Sequence, residues 1–143
     1  MATTRNASTH WEGTLFEGAG KVTLESSGLG TYDVSWASRA EDANGKTSPE
    51  ELIAAAHAGC FSMALSAQLG NAGMTADSIA TTATVNLEKT DAGFTITAVH
   101  LDVNAKIPGA DKAAFDTAAN NAKAGCPVSK LLNTKITLDA KLQ

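Results

Sequence analysis

Cysteine is scarce: the 143 residues contain two, Cys60 and Cys126. They lie 66 positions apart. No Cys-x-x-Cys motif exists, which weakens a general disulfide oxidoreductase. Three histidines (His10, His57, His100) and two distant thiols show no metal-ligand spacing, so neither metal nor cofactor is expected. No serine stands in a nucleophile elbow. A phosphate loop is missing too. Gly20-Lys21 is followed by Val22, and the upstream glycine position holds Leu15, so these glycines read as turns. Basic residues are outnumbered by acids, 11 to 15, with net charge −4 and pI near 5.2. Without a basic stripe, nucleic acid and anionic membrane are poor partners. The longest apolar run, 52–67, has 16 residues and is interrupted by His57, Ser62 and Ser66. That is short for a membrane span. Residues 1–10 are polar, unlike a signal peptide, so a cytoplasmic protein is expected. In that reducing compartment two cysteines are reactive or merely buried, not a staple. With no repeat, linker or low-complexity segment, the expectation is one domain, 1–143.

What the chain does have is a long apolar helix signal over 48–69. Ser48 can cap, Pro49 suits the first helical position, and Glu51 completes a capping box. Two acids in the first turn favour the positive end of the dipole. Ile53, Ala56, Cys60, Met63, Ala64 and Ala67 share one face; Ala54, Ala55, Ala58, Phe61 and Leu65 lie opposite. A helix apolar nearly all round belongs in the interior. This predicts a buried central helix with Cys60 in the most buried part of the chain.

Before that helix, Trp11, Gly13 and Leu15, then Val22 and Leu24, then Tyr32, Val34 and Trp36 alternate between glycine turns. They predict three short antiparallel strands after a frayed segment 1–9. Residues 35–47 read as an exposed polar loop. After the helix, Ala83, Val85 and Leu87 alternate. A second strand follows the turn at Asp91-Ala92-Gly93, with a phase slip near Ala98 and Val99 that predicts a β-bulge. Asp111 can cap a second helix reaching Ala124. Cys126-Pro127 opens a short helical turn, and Ile136, Leu138, Ala140 and Leu142 alternate on a last strand. The class is α+β, with mainly antiparallel sheets around the central helix. One sheet covers one side of such a helix. A second copy across a two-fold axis would cover the other, so an intertwined homodimer is expected.

Both thiols have a bland reading as small core hydrophobes. A reactive Cys60 would need a cation, since a thiol in apolar surroundings keeps its proton. His57 is near on the helix, and Arg39 is always charged. Cys126, at a helix start, would have its thiolate favoured by free N–H groups. Their bland readings are a satisfied core histidine, a surface arginine, and helix-start roles for Glu50 and Glu51.

The stretch Thr47-Ser48-Pro49-Glu50-Glu51-Leu52, continuing through Ala56-His57-Ala58-Gly59-Cys60-Phe61, resembles the OsmC/Ohr family of thiol peroxidases. So does Ala124-Gly125-Cys126-Pro127-Val128-Ser129. His10-Trp11-Glu12-Gly13 and the Pro-Glu-Glu-Leu run resemble the OsmC branch more than the Ohr branch. The likeness covers roughly residues 10–142 and outweighs the bland cysteine reading. It implies that Cys60 is the peroxidatic cysteine and Cys126 the resolving one, with Arg39 and Glu50 polarising the site. It implies obligate homodimers with active sites at the subunit interface, and organic hydroperoxides reduced in preference to hydrogen peroxide in stress defence. Cys60 would pass through a sulfenic acid to a Cys60–Cys126 disulfide, and an external dithiol, a lipoylated protein being one candidate, would restore both thiols. Phe61 and Met63 would form an apolar wall for the substrate. Glu50 and Cys60, ten residues apart, would be separated by ~15 Å along a straight helix. If Glu50 serves Cys60 it comes from the partner, orienting Arg39 across the interface. The competing reading is a stress-induced hydrophobic-ligand binder whose thiols are bystanders.

Overall fold

The computed structural model describes all residues, 1–143, which form two compact units, Met1–Leu52 and Ile53–Gln143. In the first unit β1 (Ser8–Glu12), β2 (Ala19–Thr23) and β3 (Thr31–Val34) form an antiparallel sheet in that order. Three antiparallel strands are present as expected, but β1 begins at Ser8, inside the segment expected to fray, and ends at Glu12, leaving Gly13 and Leu15 in the connection that follows. Asn6 is tied to Ser26 by its N–H and carbonyl. Gly20 has no room for a side chain: a Cβ there would sit 2.7 Å from the Trp11 ring and 3.1 Å from Val34.

The segment 35–47 is not wholly a loop. Trp36, expected on a strand, opens a short helix α1 (Trp36–Ala40). Ser35 caps it, and Ser38 returns a hydrogen bond to the Ser35 N–H, a reciprocal box made with serine at the third position. The Ser38 hydroxyl also donates to the Thr47 carbonyl at 3.0 Å, and the Thr47 N–H donates to Asp33 at 3.0 Å. The polar loop is thereby tied back to β3.

The long helix, α2, is Pro49–Asn71. Ser48 accepts from the Glu51 N–H at 3.1 Å, as expected of a cap. The Glu51 carboxylate instead takes the Thr47 hydroxyl at 2.6 Å. The helix ends at Asn71 and closes through Gly73. Gly73, at φ +77°, donates to the Gly70 carbonyl, and Met74 donates to Leu69 at 2.8 Å. This 6→1 and 5→2 pattern ends a helix through a left-handed glycine. At 23 residues α2 is long and apolar enough by length and composition to cross a membrane, a test that a core helix also passes. Two of the polar side chains that interrupt it have protein partners: His57 meets Ser129, and Ser62 meets Thr81.

In the second unit β4 (Ser78–Thr90) and β5 (Gly93–Lys106) form a long antiparallel hairpin. The register slips where Asn86 pairs Ala98 and Leu87 pairs Ile96, leaving Thr97 as the extra residue. The bulge is thus one residue before the expected place. Asp111 caps α3 (Lys112–Gly125) through the Ala114 N–H. Next come α4 (Pro127–Leu131) and β6 (Lys135–Leu142). β6 runs parallel to β5, an exception to the otherwise antiparallel pairing. The α3–α4 connection returns the chain to the same end of the sheet, as a parallel pair requires. Phe61, Leu65 and Leu69 of α2 pack with Leu101, Val103 and Phe115 in the core of this unit. Each such burial is worth about 1.5–3 kcal/mol.

α2 is therefore one-sided in the single chain. His57, Phe61, Leu65 and Leu69 are buried, while Ala55, Ala56, Gly59 and Ala67 are exposed, with Met63 at 72%.

Candidate active site

Two pairs of the expected residues come together, one in each unit. In the second, Cys60 on α2 and Cys126, the residue between α3 and α4, approach with Sγ–Sγ at 2.9 Å as free thiols. Cys126 is placed by two helices at once. Its N–H donates to Ala122 at the end of α3, and its carbonyl accepts from Lys130 in α4. Pro127 suits the first position of α4, where no N–H is needed.

Burial is the reverse of the expectation. Cys126 is fully buried and Cys60 only partly so. The reason is the one-sidedness of α2: Cys60 lies towards its open face. It opens on an apolar groove of about 610 Å³, lined also by Ala55, Ala56, Gly59, Met63 and Pro127. Met63 belongs to this wall. Phe61, fully buried in the core, does not.

The sulfurs titrate as one system. Burial pushes the Cys60 thiol up, and the neighbouring Cys126 adds to this; the Val128 N–H pulls down without reversing it. Burial also pushes Cys126 up. There the Cys60 hydrogen bond, the N–H groups of Ser129 and Val128 and the Ser129 hydroxyl outweigh it, and the net direction is down. This charge balance favours the first thiolate at Cys126. Once one proton has left, the sulfurs at 2.9 Å share the other, so the first leaves more easily than the second.

Behind the thiols lies a contact absent from the sequence expectations. His57, 0% exposed, has Nε2 2.7 Å from the Ser129 Oγ. Its Nδ1 has no hydrogen-bond partner. Burial holds the imidazole below its ordinary value of 6.5. Ser129 stands three residues after Cys126, in the stretch that carries the family likeness. That spacing was the available signal.

In the first unit Arg39 of α1 grips Glu50 in the first turn of α2. Nε lies 3.0 and 3.2 Å from the two carboxylate oxygens, and Nη2 lies 2.9 Å from Oε1. The Glu50 side chain is 10% exposed and that of Arg39 36%. This corrects the expectation that Glu50 orients Arg39 across an interface: the ion pair closes within one chain. The α1 turn, missed in the sequence, brings the guanidinium back over the start of α2. Arg39 also lines an apolar pocket of about 350 Å³ with Trp11, Leu15, Trp36 and Leu52. No group of three His, Cys, Asp or Glu side chains gathers at metal-binding distance.

The family described as OsmC-like protein matches residues 41–141. The chain belongs to the OsmC family. Over 143 residues it is 49% identical to Peroxiredoxin OsmC of Escherichia coli K12, covering 100% of this chain and 99% of that one; the Shigella flexneri protein of the same name matches equally. Among solved structures, the organic hydroperoxide resistance protein OhrB of Bacillus subtilis is similar at 26% identity and TM-score 0.72. That match covers 96% of this chain and 98% of OhrB. An OsmC-like protein from Mycoplasma pneumoniae shares the fold at TM-score 0.76 and 13% identity, with 99% of each chain covered. The α+β OsmC fold and the family resemblance are thus borne out.

Proposed function

We propose that this OsmC-family protein reduces organic hydroperoxides to alcohols through Cys60 and Cys126, using an external dithiol, in defence against oxidative and osmotic stress. The family membership and the 49% identity to a peroxiredoxin over the full chain make it a thiol-dependent peroxidase. The observation that carries the finer reading is the 2.9 Å approach of two free thiols that are 66 positions apart. The Cys60 thiolate attacks the distal peroxide oxygen, an alcohol leaves, and Cys60 becomes a sulfenic acid. Cys126 then displaces hydroxide to form the disulfide. A dithiol, a lipoylated protein being one candidate, restores both thiols by exchange. The groove beside Cys60 suits an alkyl or fatty-acyl tail, and this favours organic peroxides over hydrogen peroxide.

Burial works against a Cys60 thiolate, so a cation must supply the balance. Arg39 is the residue we assign, with Glu50 holding its fork. Glu50 and Cys60 are ten residues apart on α2, ~15 Å along a straight helix. We therefore read the working site as composite, with the Arg39–Glu50 pair of one protomer serving Cys60 of its partner in a homodimer. The open face of α2 supports this. Gly59 has nothing within 4 Å of where a Cβ would stand, although a mid-helix glycine costs about 1 kcal/mol relative to alanine. A second helix packed closely there would explain it. The two units are taken as parts of one OsmC-like domain, 1–143. The cytoplasm is the compartment in which both thiols would rest reduced.

The alternative, a binder of hydrophobic molecules with bystander thiols, uses the same groove but leaves the approach of the sulfurs without a purpose. Thiol counting after cumene hydroperoxide separates the two. The peroxidase loses both thiols in stoichiometric reaction, and Cys60→Ser abolishes the loss. Retention of both thiols by the unaltered protein would support the binder.

A further inference from the structure

His57 and Ser129 are buried polar side chains with no part in the chemistry so far. They stand directly behind the thiols. The unpaired Nδ1 of His57 decides how their protons are arranged. A buried N–H without an acceptor is rarer and costlier than an idle lone pair. The ring proton therefore sits on Nε2, where the Ser129 Oγ accepts it at 2.7 Å. With that oxygen accepting from the imidazole, the single hydroxyl proton of Ser129 is free to point elsewhere. Ser129 stands three residues after Cys126, in the first turn of α4, where positions i and i+3 are neighbours on one face. Two contacts, His57 Nε2 to Ser129 Oγ at 2.7 Å and Cys126 Sγ to Cys60 Sγ at 2.9 Å, thus meet at the start of α4.

We propose that His57 and Ser129 are positioning residues for disulfide closure, holding a hydroxyl proton on the Cys126 sulfur as it becomes the attacking thiolate. This rests on the peroxidase reading above. In the closing step Cys126 gives up its proton, and its sulfur attacks the sulfenic sulfur of Cys60. The S–S bond forms and the S–O bond breaks. The Cys126 sulfur is oxidised, the Cys60 sulfur is reduced from the sulfenic state, and the departing hydroxide takes up the proton as water. Negative charge rests briefly on a sulfur with 0% exposure, where water cannot solvate it. A fixed hydroxyl donor there supplies what solvent would. The neutral, buried imidazole keeps that hydroxyl from turning away.

A merely structural link between α2 and α4 would predict something different, and a single-turnover experiment tells them apart. Reduced protein is mixed with one equivalent of cumene hydroperoxide. Peroxide loss, disulfide formation and dimedone-trapped Cys60 sulfenic acid are followed separately. For Ser129→Ala, closure should slow about tenfold more than the peroxide step, the scale of one hydrogen bond to a charged group, and trapped sulfenic acid should accumulate. Ser129→Thr, which keeps a hydroxyl, should restore closure. His57→Gln should close faster than His57→Leu, because the amide can still donate to Ser129. If Ser129→Ala closes as fast as the unaltered protein, or slows both steps equally, the relay is wrong while the peroxidase stands. If the unaltered protein consumes no peroxide, both fall.

Discussion

The Arg39–Glu50 pair offers a quantitative test. Replacing Glu50 with Gln keeps the shape but removes the charge from a fork with contacts of 2.9, 3.0 and 3.2 Å. A charge-assisted pair of this geometry is among the stronger hydrogen-bonded contacts. Breaking a fully buried pair costs about 3–5 kcal/mol. Here Glu50 is nearly enclosed, but the Arg39 side chain is 36% exposed, so water takes over part of the lost interaction. After that screening the expected coupling is about 1–2 kcal/mol. A double-mutant cycle of Glu50→Gln, Arg39→Gln and the double variant, measured by urea unfolding at one fixed protein concentration, isolates it. Peroxidase kcat/KM should fall further than stability explains, by at least tenfold in each single variant, because the guanidinium is then misplaced or absent. A coupling near zero, or full activity in Arg39→Gln, would refute the role given to this pair.

Other consequences can be checked independently. Met63→Glu puts a charge on the open face of α2 and should yield a folded monomer with little peroxidase activity, read by analytical ultracentrifugation beside the assay; an active monomer would contradict the composite site. Gly18→Ala should destabilise by at least ~2 kcal/mol, because its Cβ would meet backbone oxygens of Thr14 and Glu12 at 2.2 and 2.5 Å; thermal unfolding reports it. His57 resists protonation when folded. Below pH ~6.5 the unfolded chain therefore binds the extra proton, and stability should fall as pH drops. That part of the slope should vanish in His57→Gln, compared by urea titration at several pH values.

The elements built on simple periodicity could be read in the residues. β4 and β5 alternate faithfully, and the slip beside Ala98 marked the bulge to within one residue. The cap at Asp111 and the end expected at Ala124 bounded α3 to within a residue. What escaped depends on contacts made far along the chain. α1 has only five residues, and its cap uses Ser38 rather than the usual acid or amide, so composition marked the segment as loop. The direction of β6 is set by how α3 and α4 return the chain, which alternation along a strand does not encode. The thiol pairing came from family likeness, since spacing alone left both cysteines with a bland reading. The exposure of Cys60 was misjudged because α2 is apolar on both faces, and only folding shows which face the sheet covers. The His57–Ser129 contact joins residues 72 positions apart, and no local pattern announces it.

The most direct test of the central claim is peptide mapping by mass spectrometry after one equivalent of cumene hydroperoxide, without reductant. The account predicts one cross-linked pair, the Cys60 peptide joined to the Cys126 peptide with the loss of two hydrogens, reversed by a dithiol. Unmodified thiols at both positions, or Cys60 linked between protomers to another Cys60, would contradict it.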